Sequence, residues 1–396
     1  MIGPFFNFTF FLNLFLIFIS SLDSIIFLSR KIKSIFMTKL FSSTDVNNAR
    51  QIEWDYAKVF AIFAMIFVHF LAFCTFSKID YGYLEEYLFI LTQSSAPIFM
   101  FAMGIGMVYT RHDSPKEFAV RRIKLLLLGL VINTMYFLSN FSAGVPLEYS
   151  LLSFLANDIL QFAGITFIVV AIFKKLKLSY IQILLIAILM SLIVSYHPDI
   201  TLQNMYLNQI LGNFIETVGQ NIVSCFPFLN WFIIPAAGML FGNDLKRCND
   251  KDELYKLILR YTSITAVILL ILGFITREGI FAITGGTVPE KLSYLHLSMQ
   301  DIVLLIVIIL LAGSLFYFIS KKASPKINNF IKRTSKNVTA IYIIQWALIL
   351  LLTYVNQFVD VESNMILRSV TFLAVIILSL LMAEGYEKIK SHICRN

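Results

Sequence analysis

Charge is scarce in this 396-residue chain: Asp, Glu, Lys and Arg together make up 14%. A soluble globular domain carries about 25%, so an ordinary water-facing domain is excluded. Cysteine is rarer still. Four residues with no CxxC pair exclude a disulfide scaffold and a thiolate zinc site. Five scattered His residues show no ligand spacing, so no metal is expected. Seventeen Gly and nine Pro are too few for collagen-like or low-complexity chains. No Walker A, dinucleotide-binding or GxSxG motif occurs, which leaves no sequence sign of a nucleotidase, a dehydrogenase or a serine hydrolase.

Apolar residues dominate instead, at 58%, with 38 Phe. A helical membrane span needs about 20 largely apolar residues. Ten such segments follow residue 55, at 57–77, 86–110, 122–141, 150–173, 178–196, 222–243, 258–276, 301–319, 338–357 and 365–385. The expected fold is therefore all-α: a polytopic membrane protein with a ten-helix core. A further apolar stretch, 4–29, is broken by Ser20, Ser21 and Asp23. It is read as an extra helix or an upstream extension. The organisation is then 1–36 as an apolar extension, 37–56 as a cytoplasmic lead-in, 57–386 as the transmembrane domain and 387–396 as a tail.

The net charge of +8 would ordinarily point to nucleic acid. Its distribution gives another account. The segments 30–58, 111–124, 174–177, 246–260, 320–336 and 387–396 hold 28 of the 32 Lys and Arg residues. The alternate connections hold only Lys78, Arg277, Lys291 and Arg368. That alternation is the positive-inside pattern, with both ends of the ten-helix core cytoplasmic in the cell membrane. No nucleic-acid partner is expected. The pair Gly104 and Gly106 falls within an apolar segment and is read as close helix packing.

Ionisable groups inside a bilayer are costly and mark functional or protein-lined positions. At about 1.5 Å per residue, His69 lies roughly 18 Å from the cytoplasmic end of its segment. Asp158 lies about eight residues inside the outer end of its own, which gives the same level. Asn133 and Asn230 fall at similar depth, with Gln161 and Gln345 about a turn lower. Six polar groups in one layer predict a polar chamber. His69 is either a satisfied interior histidine or a proton acceptor. Asp158 is either its orienting acid or a structural hydrogen-bonding group.

A basic cluster stands at the inner side: Lys58, then Arg111, His112, Lys116, Arg121, Arg122 and Lys124. Such a cluster binds phosphates, or serves topology and anionic lipid. On the outer side lie Tyr81, Tyr83, Glu85, Trp231, His296 and Asp301. Aromatics with carboxylates suit sugars, although Tyr and Trp also belong at any membrane interface. Cys74 and Cys225 both fall near outer ends, so a bridge between them stays open.

The stretch RQIEWDYAKVFAIFAMIFVH (50–69) resembles the opening of the acyltransferase-three family of membrane acyltransferases. That opening has an Asp, a basic residue at the first helix mouth, ten residues and a His, here Asp55, Lys58 and His69. Lys58 stands where the family normally has Arg. APIFMFAMGIGMVYTRH (96–112) is similar to the family's second helix and basic turn. NDILQFAGITFIVVAIFKK (157–175) resembles a helix of heparan-α-glucosaminide N-acetyltransferase-like proteins. NWFIIPAAGMLFG and NVTAIYIIQW look like later helices of the same superfamily. The lysosomal enzymes have Asn at the position of His69 and a His in the next loop; here no His occurs between 70 and 111.

The resemblance implies transfer of an acyl group, usually acetyl, from cytoplasmic acyl-CoA to an acceptor at the outer face. Lys58, Arg111, Arg121, Arg122 and Lys124 would hold the acyl-CoA phosphates. His69, helped by Asp158, would deprotonate a glycan or glycolipid hydroxyl or amine. Asn133 or Asn230 would stabilise the oxyanion, and His296 and Asp301 would meet the acceptor. Membrane lipid is the other expected partner. Two rivals remain: a proton-coupled secondary transporter with His69 and Asp158 as relay, and a non-catalytic membrane subunit.

Overall fold

The computed structural model describes residues 40–74, 94–110, 114–196, 200–215, 226–276, 299–355 and 365–393. Among them the regular elements are helices, with no strand. The 1–36 extension lies outside the described residues.

The chain divides into two compact units. The smaller is Met1–Ala49 with Asp244–Lys256, described from Leu40. Phe41 and Cys248 form an isolated antiparallel bridge. Ser42 N–H donates to Arg247 O at 2.7 Å and Asn249 N–H to Leu40 O at 2.8 Å. Burial at this knot pushes the Cys248 thiol above its usual pKa.

The larger unit is Arg50–Asn243 with Leu257–Asn396. In chain order the helices are α1 (Ile52–Cys74), α2 (Ser95–Val108), α3 (Pro115–Ser142), α4 (Leu147–Phe154), α5 (Ile159–Lys175), α6 (Tyr180–Tyr196), α7 (Met205–Gly212), α8 (Phe228–Trp231), α9 (Ile233–Arg247), α10 (Lys251–Thr276), α11 (Met299–Lys322), α12 (Pro325–Lys336), α13 (Val338–Val355) and α14 (Met365–Ile393). Local chemistry sets several starts. Ser114 and Ser324 cap α3 and α12 through side-chain oxygens, and Pro115 and Pro325 follow, where a missing N–H costs nothing. Glu53 and Asp55 sit in the first turn of α1, at the positive end of its dipole.

Helix α1 is the axis of this unit and packs against α2, α11, α12, α13 and α14. Beside it, α3 packs along α5 and touches α13. Where α1, α3, α5 and α13 meet, Ile62, Met65, Ile66, Phe70, Ile132, Leu160, Tyr342 and Trp346 form a continuous core. On the outside, Ile181, Leu185, Leu189 and Ile193 of α6 are each near 60% exposed. Their fourth-residue spacing makes one apolar stripe, suited to lipid rather than water.

Among the described residues, five helices are long and apolar enough to cross a membrane: Ile52–Leu71, Pro115–Ser142, Asp301–Lys322, Val338–Val355 and Ile366–His392. The pair α4 and α5, bent by 45°, makes a sixth if counted as one span. Helices α2 and Tyr180–Val194 of α6 are apolar but shorter.

Three sequence expectations need correction. The segment 150–173 is not one continuous helix, because Leu155–Asp158 interrupts it. The basic segment 320–336 is not merely a connection: α12 occupies most of it and tucks Ile331, Thr334 and Ser335 inward. Of the two glycines read as packing positions, only Gly104 serves. A Cβ there would strike the backbone of Pro235 and Met239, whereas one on Gly106 meets nothing within 4 Å. Gly238 reciprocates against the Phe101 carbonyl, and Gly242 lies against Ile105. Helices α2 and α9 thus touch backbone to backbone, as small residues permit.

Candidate active site

The break between α4 and α5 places the first functional side chain. Its carbonyls lose their helical partners, and inside apolar surroundings each needs a replacement. Two asparagines supply them, and a third, within the break, ties it to the chain beyond. Asn133 Nδ2 donates to Phe154 O and Ala156 O, both at 2.8 Å. Asn213 Nδ2 donates to Leu155 O at 2.9 Å. Asn157 Nδ2 reaches across to Phe226 O at 2.9 Å, and Phe226 itself adopts φ 61°, a left-handed conformation uncommon for a bulky residue.

Asp158 ends the break as N-cap of α5. Its carboxylate accepts from Ile159 N–H at 2.7 Å, while Gln161 Oε1 accepts the Asp158 N–H at 3.3 Å. This is a capping box. The other carboxylate oxygen accepts the phenolic hydrogen of Tyr342 on α13.

His69 comes from α1. Its ring stacks on Trp346 with centroids 4.0 Å apart and stands edge-on to Tyr342 at 6.0 Å. The Gln345 amide lies against Nδ1, with Nε2 at 2.9 Å and Oε1 at 3.4 Å. Gln345 is fully buried and Tyr342 nearly so. Met65, Val68, His69, Ser95, Ala96, Asp158, Ile159, Phe226 and Tyr342 line one small cavity. It gathers an imidazole, a carboxylate, a phenol and a hydroxyl within an otherwise apolar wall.

Toward the start of α1, Arg50 grips Asp55 with two bonds, Nε to Oδ2 at 2.6 Å and Nη2 to Oδ1 at 3.0 Å. Ser335 Oγ donates to the same carboxylate at 2.6 Å, and Arg50 Nη2 also meets Lys332 O at 3.0 Å. Lys58 is half-buried within electrostatic reach of Arg50 and Asp55. It lies eleven residues before His69. At 3.6 residues per turn the two fall on one face of α1, about 20° apart in rotation and roughly 16 Å along the axis.

The structure thus brings His69, Asp158 and Gln345 to one place, although not in the expected pairing. His69 contacts Gln345, whereas Asp158 contacts Tyr342. Gln161 serves the cap of α5. Asn133 and Asn230 are engaged elsewhere: both protons of the Asn133 amide hold the α4–α5 break, and Asn230 accepts from Ser191 Oγ. Neither lines the cavity. Among the inner basic residues, the Arg122 guanidinium stacks over Phe167 at 4.5 Å, and Lys124 is exposed. Arg121 lies in the first half of α3. Arg111, His296 and Cys225 fall outside the described residues. Asp301 is buried in the first turn of α11.

Sequence reasoning missed Tyr342, Trp346, Ser95 and Arg50. Tyr342 and Trp346 flank Gln345 at helical spacings that place Tyr342 on the same face. Asn157, Asp158 and Gln161 carry the capping-box pattern in the sequence itself.

Taken together, the apolar helices and the small interior cavity define a membrane protein with an imidazole and a carboxylate gathered beside its central helix. The acyltransferase-3 family model, an acyltransferase domain, matches residues 51–384. The chain belongs to this family, so it is a membrane acyltransferase. No curated protein and no solved structure matches the chain.

Proposed function

We propose that this protein transfers an acyl group, acetyl in the simplest case, from cytoplasmic acyl-CoA to a hydroxyl or amine of an extracytoplasmic glycan or glycolipid. The observation that carries the reading is the single face of α1 bearing Lys58 at one end and His69 in the cavity wall. The cationic end suits the donor's phosphates, and the imidazole suits the acceptor's proton. Ten crossings of the cell membrane fit the charge alternation: α1, α2, α3, α4–α5, α6, α8–α9, α10, α11, α13 and α14, with both ends cytoplasmic.

In this mechanism the ring nitrogen of His69 not held by Gln345, Nε2, takes the acceptor's proton as its oxygen or nitrogen attacks the thioester carbonyl. That role requires the ring proton on Nδ1. The Gln345 amide selects between tautomers by its orientation: Nε2 facing the ring donates to a bare Nδ1, while Oε1 facing it accepts from Nδ1–H. Asp158, tied to Tyr342 and the α5 cap, fixes the opposite wall. Arg111, Arg121, Arg122 and Lys124 extend the donor's phosphate surface, and His296 and Asp301 serve the acceptor side.

The test is acetyl-CoA turnover by purified protein in nanodiscs. CoA-thiol release is expected from the wild type and lost in His69→Ala. Lys58→Ala is expected to raise the donor KM with less effect on kcat. Neither binding nor release of acetyl-CoA by folded wild-type protein would reject the reading and favour proton-coupled transport through the same cavity.

A further inference from the structure

The first turn of α2 forms part of the cavity wall through Ser95 and Ala96. A helix start leaves its first N–H groups without intrahelical acceptors, and a side-chain cap normally satisfies one or two. Here the cap is missing: Ser94 precedes the helix in an αR conformation and makes no side-chain capping bond. The third helical residue is Pro97, which has no N–H, and Ile98 N–H is already bonded to Ser94 O at 3.0 Å. Two amide donors remain, on Ser95 and Ala96. The Ser95 hydroxyl is a third. Both residues are about 95% buried, and none of the three donors has a partner among the described residues.

The neighbouring carboxylate does not need them. Both Asp158 oxygens are occupied, by Ile159 N–H and by the Tyr342 hydroxyl. An uncapped helix start and an unpartnered buried hydroxyl therefore face the same cavity as His69, with no acceptor for either among the described residues. The positive end of the α2 dipole adds a fixed preference for negative charge there.

We propose that Ser95 Oγ–H, with the Ser95 and Ala96 amides, is the oxyanion-stabilising site for acyl transfer at His69. This rests on the acyl-transfer reading above. The acceptor's lone pair forms the new bond to the thioester carbonyl carbon, and its proton passes to His69. The carbonyl π pair moves onto oxygen, and that oxyanion accepts from the α2 donors. On collapse the C–S bond breaks, the thiolate leaves, and the proton on the imidazolium returns to it as thiol. Charge that exists only in this intermediate is held by donors already in place, where such stabilisation is most effective.

The experiment uses full-length protein in nanodiscs with acetyl-CoA as donor and water as acceptor, comparing wild type, Ser95→Ala, Ser95→Thr and His69→Ala. Folding is checked by size exclusion and thermal unfolding. Ser95→Ala is expected to lower kcat about 10²-fold with acetyl-CoA KM and Kd unchanged, and Ser95→Thr, which keeps the hydroxyl, to recover most of the rate. An undiminished kcat in folded Ser95→Ala, while His69→Ala is inactive, overturns the oxyanion role alone. So does weakened acetyl-CoA binding with kcat intact, or acetyl found on Ser95 by mass spectrometry. A folded wild type that neither binds acetyl-CoA nor releases thiol faster than His69→Ala instead overturns the acyl-transfer reading beneath it.

Discussion

His69 is held on two sides by α13. Trp346 covers its ring face and Gln345 meets Nδ1, so its orientation depends on a neutral amide rather than on the carboxylate that the sequence offered. A neutral partner puts no charge in direct contact with the imidazole, and burying charge is costly. It also makes the tautomer a matter of amide orientation. Gln345→Leu keeps bulk and removes both polar atoms, freeing the ring to adopt either tautomer. The expected result is a kcat lower by about 10- to 100-fold, within the range for general acid–base help. Acetyl-CoA KM should not change. Steady-state thiol release checks this; a raised KM with normal kcat would place Gln345 in donor binding instead.

At the level of elements, the contact between α2 and α9 is the least tolerant feature. Gly238→Ala puts a methyl group into the Phe101 carbonyl, and backbone cannot step aside as a flexible side chain does. Overpacking of this kind costs about 1–3 kcal/mol, to be read as a lowered thermal midpoint in detergent. Gly106→Ala is the control: it is exposed with open space around its Cβ position, so it should be neutral or slightly stabilising through helix propensity. Equal losses in the two variants would contradict the packing account.

The same scale shows where sequence reading succeeds. Apolar segments of span length, and hence the all-helical class, follow from composition, because the bilayer demands local hydrogen bonding. The α4–α5 break escapes notice because hydropathy averages over Asn157 and Asp158, while the capping box that stops one helix and starts another is a four-residue pattern. Depth arithmetic put His69, Asp158, Asn133 and Asn230 at one level, with Gln345 about a turn lower, yet depth carries no information about rotation. Asn133 therefore turned to the α4–α5 break, and Tyr342, an aromatic among many, went unnoticed. Helix α12 was hidden by its charge, although Ile327, Phe330 and Ile331 carry helical spacing.

For the whole molecule, the proposed topology makes a side-specific prediction. Lys326→Cys, on exposed α12, should react with a membrane-impermeant maleimide only from the cytoplasmic face. Leu202→Cys, exposed ahead of α7, should react only from outside. Buried Cys248 should stay unlabelled in both until the protein is unfolded. Labelling in oppositely oriented vesicles decides the matter, and reaction of both sites from one face would refute the orientation.

The register of α1 has one more consequence. Lys58 and His69 share a rigid rod, so the separation between them, about 16 Å, works as a ruler. A donor that engages both must carry its anionic head and its reactive carbonyl that far apart, whatever its chemical name. Substrate choice would then be a matter of length before it is one of shape. Acetyl thioesters of short thiols, lacking the anionic head, should react only at concentrations far above those needed for acetyl-CoA, and they should be indifferent to Lys58→Ala.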